Sequence, residues 1–173
     1  NPGDAVRVAN ELVTREGVNI LAGTFLSHIG LAVTEFAGKQ KVFFLAAEPL
    51  TDKITWQNGN RYTFRLRPST YMQVAMLMPD AVAAKKKRWA LVYPNFEYGQ
   101  SAAGWFKDML KKQQPDVEFV TEQAPPLGKV DEFEHLGASR APARTSLIAP
   151  DLARNRFSTR PARDTVGCGL INS

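Results

Sequence analysis

The chain has little of what most enzyme chemistry requires. It holds one cysteine, Cys168, and two histidines, His28 and His135. A lone cysteine cannot close an internal disulfide and carries no compartment signal. No group of His, Cys and carboxylates has metal-ligand spacing. There is no glycine-rich phosphate loop, no nucleophile elbow and no His-Glu-x-x-His pair. No apolar run approaches the roughly 18 residues of a bilayer span, so no membrane span is expected. A starting methionine and a basic-then-apolar leader are also lacking, so a signal peptide is expected to be absent or already removed. These absences leave no expected catalytic residue, no metal and no cofactor, and a fold alone does not license an enzyme.

What is present belongs to a globular domain. The 173 residues are 44% hydrophobic and 23% charged, enough for an ordinary core. The net charge of +5 invites a nucleic-acid reading, but its distribution argues against one. Residues 1–136 hold ten Lys and six Arg against fifteen acids, whereas 137–173 hold six Arg, no Lys and two acids. The excess is therefore mainly in the last 37 residues and does not form a stripe across a folded face. Lys85-Lys86-Lys87-Arg88 is the one dense basic run in the body, and at a helix end it would complement the macrodipole.

Along the chain, Asn1-Pro2-Gly3-Asp4 reads as a turn with Asp4 as N-cap. The spacing of Val6, Ala9, Leu12 and Val13 predicts a helix over 5–16, ended by Gly17. Residues 18–22 and 42–45 are short apolar runs without polar alternation, which predicts strands buried on both faces. Between them lies a helix over 28–37, with Ser27 placed to cap it. Residues 61–65 alternate and predict a strand with one wet face. A helix over 70–87 follows, with Pro79 expected to kink or break it. Residues 89–93 predict a third buried strand, 101–113 a helix and 117–120 a fourth strand. Helices alternating with short apolar strands mark an α/β fold with a parallel sheet and right-handed crossovers.

The segment from Gly137 to Ser173 departs from this pattern. It has neither Trp nor Tyr, and follows neither structural period. It reads either as a disordered basic tail or as a stretch translated in the wrong frame, and we favour the second.

In an open parallel sheet, ligands bind beyond the carboxyl ends of the strands. Three loops follow strands here, 23–28, 46–51 and 94–99. They offer a serine hydroxyl with helix-start N–H groups at Ser27, a carboxylate at Glu48, and the rings of Phe96 and Tyr98. A serine-capped helix start suits a carboxylate or phosphate. Each feature also has a plain structural reading. Ser27 is then a cap, His28 a solvated first-turn residue, Glu48 surface, Tyr98-Gly99 turn packing, and the four methionines core or interface filler.

Five ordered blocks are more specific. GDAVRVANELVTREGVNILAG, TFLSHIGLAV, KVFFLAAEPLTDKI, YTFRLRPSTYMQ and WALVYPNFEYGQS together resemble the branched-chain amino-acid-binding family of type I periplasmic binding proteins, the substrate-binding subunits of ABC importers. The resemblance runs from Asn1 to about Val130. It implies a three-layer, doubly wound parallel sheet. Residues 1–87 would form most of one lobe without its first strand, 88–136 the start of a second lobe, and 137–173 an irregular tail outside the family pattern. It further implies a small-molecule ligand, an amino acid or organic acid, held in a cleft between lobes, with ABC permease subunits as partners and an extracytoplasmic, periplasmic location. The resemblance places Phe25, Ser27, His28, Ala47, Glu48, Leu50 and Tyr98 around the ligand. Ser27 would hold a carboxylate, the loop with Ala47, Glu48 and Leu50 would add contacts, and Tyr98 would close over the ligand.

Two departures from the family pattern bear on ligand and activity. Glu48-Pro49-Leu50 stands where amino-acid binders carry small residues and a threonine, so Leu50 removes a hydroxyl that would accept from an α-amino group. The family's first strand and most of its second lobe have no counterpart, so this chain is expected to bind weakly or not at all. A ligand-sensing regulator or receptor ectodomain of the same fold is the alternative.

Overall fold

The structure, a computed structural model, describes residues 1–126 and the backbone of Ser146–Ile148. The elements are α1 (Pro2–Thr14), β1 (Ile20–Gly23), α2 (Ser27–Gln40), β2 (Phe43–Ala46), a 3-10 turn (Asp52–Ile54), β3 (Thr63–Arg65), α3 (Thr70–Ala83), β4 (Arg88–Val92), α4 (Glu97–Gln113), β5 (Glu118–Gln123) and β6 (Ser146–Ile148). The α/β class expected from the alternation is what the chain adopts. It divides into two compact units, one of residues 1–73 with 96–102, the other of 74–95 with the described residues from 103 onward.

The first unit is built on a parallel sheet in the order β1-β2-β3. Helix α1 starts earlier than expected because Asn1, not Asp4, is its cap. The Asn1 side chain accepts from the Asp4 N–H at 3.0 Å, and Pro2 at the first helical position gives up no useful donor. Gly17, at φ +67°, takes the left-handed conformation that ends the helix and lets the Val18 N–H reach the Leu12 carbonyl at 3.1 Å. One face of the sheet, with Leu21, Phe44 and Ala46, packs with Ala9, Val33, Phe36, Ala37 and Ile54 into a core. Burial of these side chains supplies most of the unit's stability, about 1.5–3 kcal/mol for each large one.

The expectation that β1 and β2 are buried on both faces does not hold in the described residues. Register places Ile20 beside Phe43, and Leu45 beside Phe64. These residues share the face opposite the core, where Ile20 is 65% and Phe64 51% exposed. The rings of Phe43 and Phe64 stack at 5.1 Å. Apolar composition reported strand propensity here, and burial followed only where helices lie.

In the second unit β4 is central, flanked in parallel by β5 and β6. It is buried from Trp89 to Val92, as its apolar run predicts. Trp89 and Phe106 meet edge to face at 5.4 Å. Helix α3 continues through Pro79 without a break and ends at Ala83, four residues early, with Lys85 at φ +52°. The basic run expected to complement the helix macrodipole therefore begins two residues beyond the helix, with none of it in the last turn. Lys87 pairs with Asp116 at 2.7 Å and Arg88, already in β4, with Glu118 at 3.5 Å. Strand β6 falls within the segment 137–173 expected to be irregular, and the rest of that segment, Cys168 included, lies outside the described residues, as does His135.

Candidate functional site

Because β1, β2 and β3 are parallel, the loops that follow them all leave the same edge of the sheet. The ladder continues past the strands to bind the first two loops together. The Ala47 N–H donates to the Gly23 carbonyl at 3.0 Å and the Glu48 N–H to the Thr24 carbonyl at 3.3 Å. From β3, the Leu66 N–H donates to the Ala46 carbonyl at 3.1 Å, which places Arg67 beside Glu48. Thr24 holds φ +64° directly after Gly23 at φ +130°. A β-branched residue is strained in that left-handed region, and such strain collects where the surroundings over-determine the backbone. The Thr24 Oγ1 is buried without a hydrogen-bond partner.

Ser27 is not the helix cap. Leu26 takes that position in extended conformation without a side-chain cap, and Ser27 is the first helical residue. Its side chain turns inward, 1% exposed, and its Oγ accepts from the N–H groups of Leu50 at 3.3 Å and Thr51 at 3.2 Å. A hydroxyl that satisfies two buried amides is a clamp on the loop after β2.

That loop is held from other sides as well. The Leu50 carbonyl accepts from the Thr70 N–H at 2.8 Å. The Arg65 guanidinium donates to the carbonyl of Pro49 at 2.9 Å and, by a short bond, to that of Thr51. Burial lowers the Arg65 pKa while Asp52 nearby opposes the shift, and an arginine stays charged under either influence. Pro49 packs so closely on α2 that a Cβ at Gly30 would meet the ring at 2.6 Å. Only glycine permits that approach.

Asp52, 2% exposed, accepts from the Thr70 hydroxyl at 2.7 Å and from the Tyr71 N–H at 3.1 Å. It thereby anchors the start of α3, where a carboxylate also favours the dipole. Since Thr70 gives its one hydroxyl proton to that carboxylate, Ser101 is the donor in the 2.6 Å contact between Ser101 and Thr70. Glu97, in the first turn of α4, accepts from Thr51 Oγ1 at 2.8 Å and from Lys53 at 3.0 Å.

The residues singled out from the sequence separate into two groups. Phe25 is 62% exposed, and His28, Ala47 and Glu48 are partly exposed. Ser27, Leu50 and Tyr98 are buried, Leu50 at 8% and Tyr98 at 7%. His28 meets the Phe96 ring edge-on at 6.0 Å, and Phe96 lies 6.0 Å from Tyr98. Glu48 is ion-paired, its Oε2 receiving Arg67 Nη1 at 2.5 Å. The sequence reading missed Arg65, Arg67, Asp52 and Glu97. Their one sequence signal was a charged residue at the end of a short strand, as for Arg65, or within a few residues beyond one, as for Arg67, Asp52 and Glu97.

Comparison with known proteins bears on the fold. A family model described as a periplasmic binding protein matches residues 1–140. No curated protein matches. Among solved structures, a solute-binding protein of an ABC transporter from Rhodopseudomonas palustris BisB5, in complex with 3,4-dihydroxybenzoic acid, superposes with a TM-score of 0.74 at 22% identity over 87% of this chain and 41% of its own. A periplasmic binding protein from Burkholderia mallei gives 0.74 at 19% identity over 86% and 39%. An amino acid ABC transporter substrate-binding protein from Pseudomonas fluorescens Pf-5 gives 0.67 at 24% over 86% and 39%. The chain thus spans about two fifths of the length of these solved relatives, and at such identities the likeness shows the fold alone.

Proposed function

We propose, since this chain belongs to the periplasmic binding protein family, that it is part of the extracytoplasmic solute-binding component of an ABC importer. The observation that carries the reading is the family match over residues 1–140. Proteins of this family bind solutes and are in general not enzymes. In the described residues no helix is long and apolar enough to cross a membrane, and the reading takes ABC permease subunits as partners.

The ligand in this reading is a small carboxylate. One solved neighbour holds 3,4-dihydroxybenzoic acid and another serves amino-acid transport. Both ligand kinds carry a carboxylate, and that shared chemistry is what we transfer. The branched-chain specificity suggested by the sequence blocks is the narrower version of the same proposal. We take 1–87 as most of one lobe and 88–136 as the start of another.

The ligand would meet the carboxyl edge of the β1-β2-β3 sheet, where ligands of open parallel sheets bind. Phe25, His28, Ala47 and Glu48 face it in this reading. Ser27, Leu50 and Tyr98 act through packing and loop position.

The test is a thermal-shift screen of the protein expressed from its complete reading frame, against amino acids, benzoates and aliphatic acids, with hits confirmed by calorimetry. A carboxylate bound at micromolar affinity is expected. No binding across the panel, with a folded protein, would overturn the reading. The 173-residue chain alone should show no clear micromolar shift, because a two-lobe clamp closes about its ligand by hinge motion and the chain spans only part of its relatives.

A further inference from the structure

A ligand carboxylate needs donors, and several polar groups at this edge already have partners within the protein. The Ser27 Oγ is 1% exposed and accepts from two backbone amides. The N–H groups of Ala47 and Glu48 end on the carbonyls of Gly23 and Thr24. Of the nearby cations, Arg65 is bonded to the carbonyls of Pro49 and Thr51, and Lys53 to Glu97.

One further cation stands at the edge. Arg67 lies two residues beyond the end of β3, as Glu48 lies two residues beyond the end of β2. Their side chains are 25% and 36% exposed, joined through a single guanidinium nitrogen. We propose that Arg67 receives the ligand's carboxylate and that Glu48 selects against ligands carrying a second one. The inference rests on the reading of the chain as a binder of small carboxylates and adds which residue binds the anion and which charge class is refused.

The chemistry follows from the two side chains. A guanidinium presents five N–H donors in a planar fork, so it can hold Glu48 through one and a ligand carboxylate through others. Such charge-assisted bonds are stronger than neutral ones and favour a planar, bidentate acceptor. Glu48 fixes the orientation of the fork and at the same time puts a negative charge beside the bound anion. A monocarboxylate tolerates this because Arg67 lies between the two charges. A second ligand carboxylate at this edge would face Glu48 with the nearby cations engaged elsewhere, and like charges in apposition exclude wrong partners.

The experiment is calorimetry on the protein from its complete reading frame and on its R67Q and E48Q variants. Three pairs of probes are used: benzoate with leucine, their carboxamides, and phthalate with glutamate. We expect R67Q to weaken binding of the monocarboxylate by about 10- to 100-fold, the loss that follows removal of a hydrogen bond to a charged group. The carboxamide should change by less than about threefold, since it brings no anion to Arg67. E48Q should narrow the gap between mono- and dicarboxylate by about tenfold or more.

If R67Q weakens acid and amide equally, Arg67 only positions the loop and the inference fails. An unchanged acid affinity in R67Q, or an unchanged gap in E48Q, overturns it as well. Tight binding of only uncharged probes by the unsubstituted protein would overturn this inference while leaving solute binding intact. No binding of any probe overturns both.

Discussion

Replacing Ser27 by alanine tests whether the loop after β2 is held as the geometry says. The Ser27 hydroxyl accepts from the N–H groups of Leu50 and Thr51, both in buried backbone. The Ser27→Ala substitution would leave two donors without an acceptor in a place where the side chain is 1% exposed and water has little room. A buried donor left unsatisfied costs about 1–3 kcal/mol. The bonds, at 3.3 and 3.2 Å, lie at or slightly beyond the long end of the usual range, so each belongs near the lower figure. Alanine returns up to about 0.5 kcal/mol as the better helix former. The expected net loss is therefore about 1.5–2.5 kcal/mol.

Urea unfolding measures the total, and hydrogen exchange shows where it falls. Protection of the Leu50 and Thr51 amides should drop about tenfold or more, at roughly 1.4 kcal/mol per decade. The Ala47 and Glu48 amides, bonded to the Gly23 and Thr24 carbonyls, should keep theirs. A loss under about 0.5 kcal/mol with unchanged exchange at Leu50 and Thr51 would refute the clamp, because a buried acceptor cannot be removed at so small a cost.

Three further expectations concern the same molecule. Gly30→Ala should cost about 1–3 kcal/mol in urea unfolding, because its Cβ would lie 2.6 and 2.7 Å from the Pro49 ring and 3.2 Å from Ile54. Arg65→Met keeps the aliphatic stem but strips the Pro49 and Thr51 carbonyls of their donor; a loss of about 2–4 kcal/mol is expected, and a loss below about 1 would contradict it. In the second unit, burial raises the Glu122 pKa, but hydrogen bonds from Lys107 and Tyr93 outweigh it and hold the carboxyl below its ordinary 4.5. A carboxyl lowered on folding adds stability above its unfolded pKa and loses it as pH falls through the folded one. Urea midpoints should therefore fall as pH drops below that ordinary value, and Glu122→Gln should flatten this acid limb, a comparison that refutes the pairing if the two profiles run parallel.

What could be read from the chain follows the range of the interactions involved. The α/β alternation was legible because strand and helix are set by patterns within a few residues, and β4 is buried from Trp89 to Val92 as its apolar run implies. The same logic failed for β1 and β2. An apolar run reports that a strand can be buried on both faces, whereas Ile20 of β1 and Phe43 of β2 stand exposed because nothing in the described residues covers them. The cap of α1 was misplaced by choosing Asp4 over Asn1, two good capping residues three positions apart. Ser27 marks the deeper limit. Its position at a helix start suggested a cap or a ligand contact, and its partners lie 23 and 24 residues away. The Glu48–Arg67 pair, 19 residues apart, became visible only when parallel register brought two strand ends together.

The density of bonds around residues 49–52 has a consequence for binding. A site that must discriminate between carboxylates gains affinity when its charged groups are already held in place, since the cost of ordering them does not then fall on the ligand. Here Ser27, Thr70 and Arg65 fix the backbone at Pro49, Leu50 and Thr51. Thr24 accepts strained φ so that the preceding loop meets Glu48. None of these groups need touch a ligand for its effect to reach one. A loosened loop would let the Glu48 carboxylate swing relative to Arg67, and the pair would then screen ligands by average charge and not by position. If the Glu48–Arg67 pair reads ligands as proposed, the buried serine and the partly exposed ion pair belong to one device, in which the first holds still what the second uses.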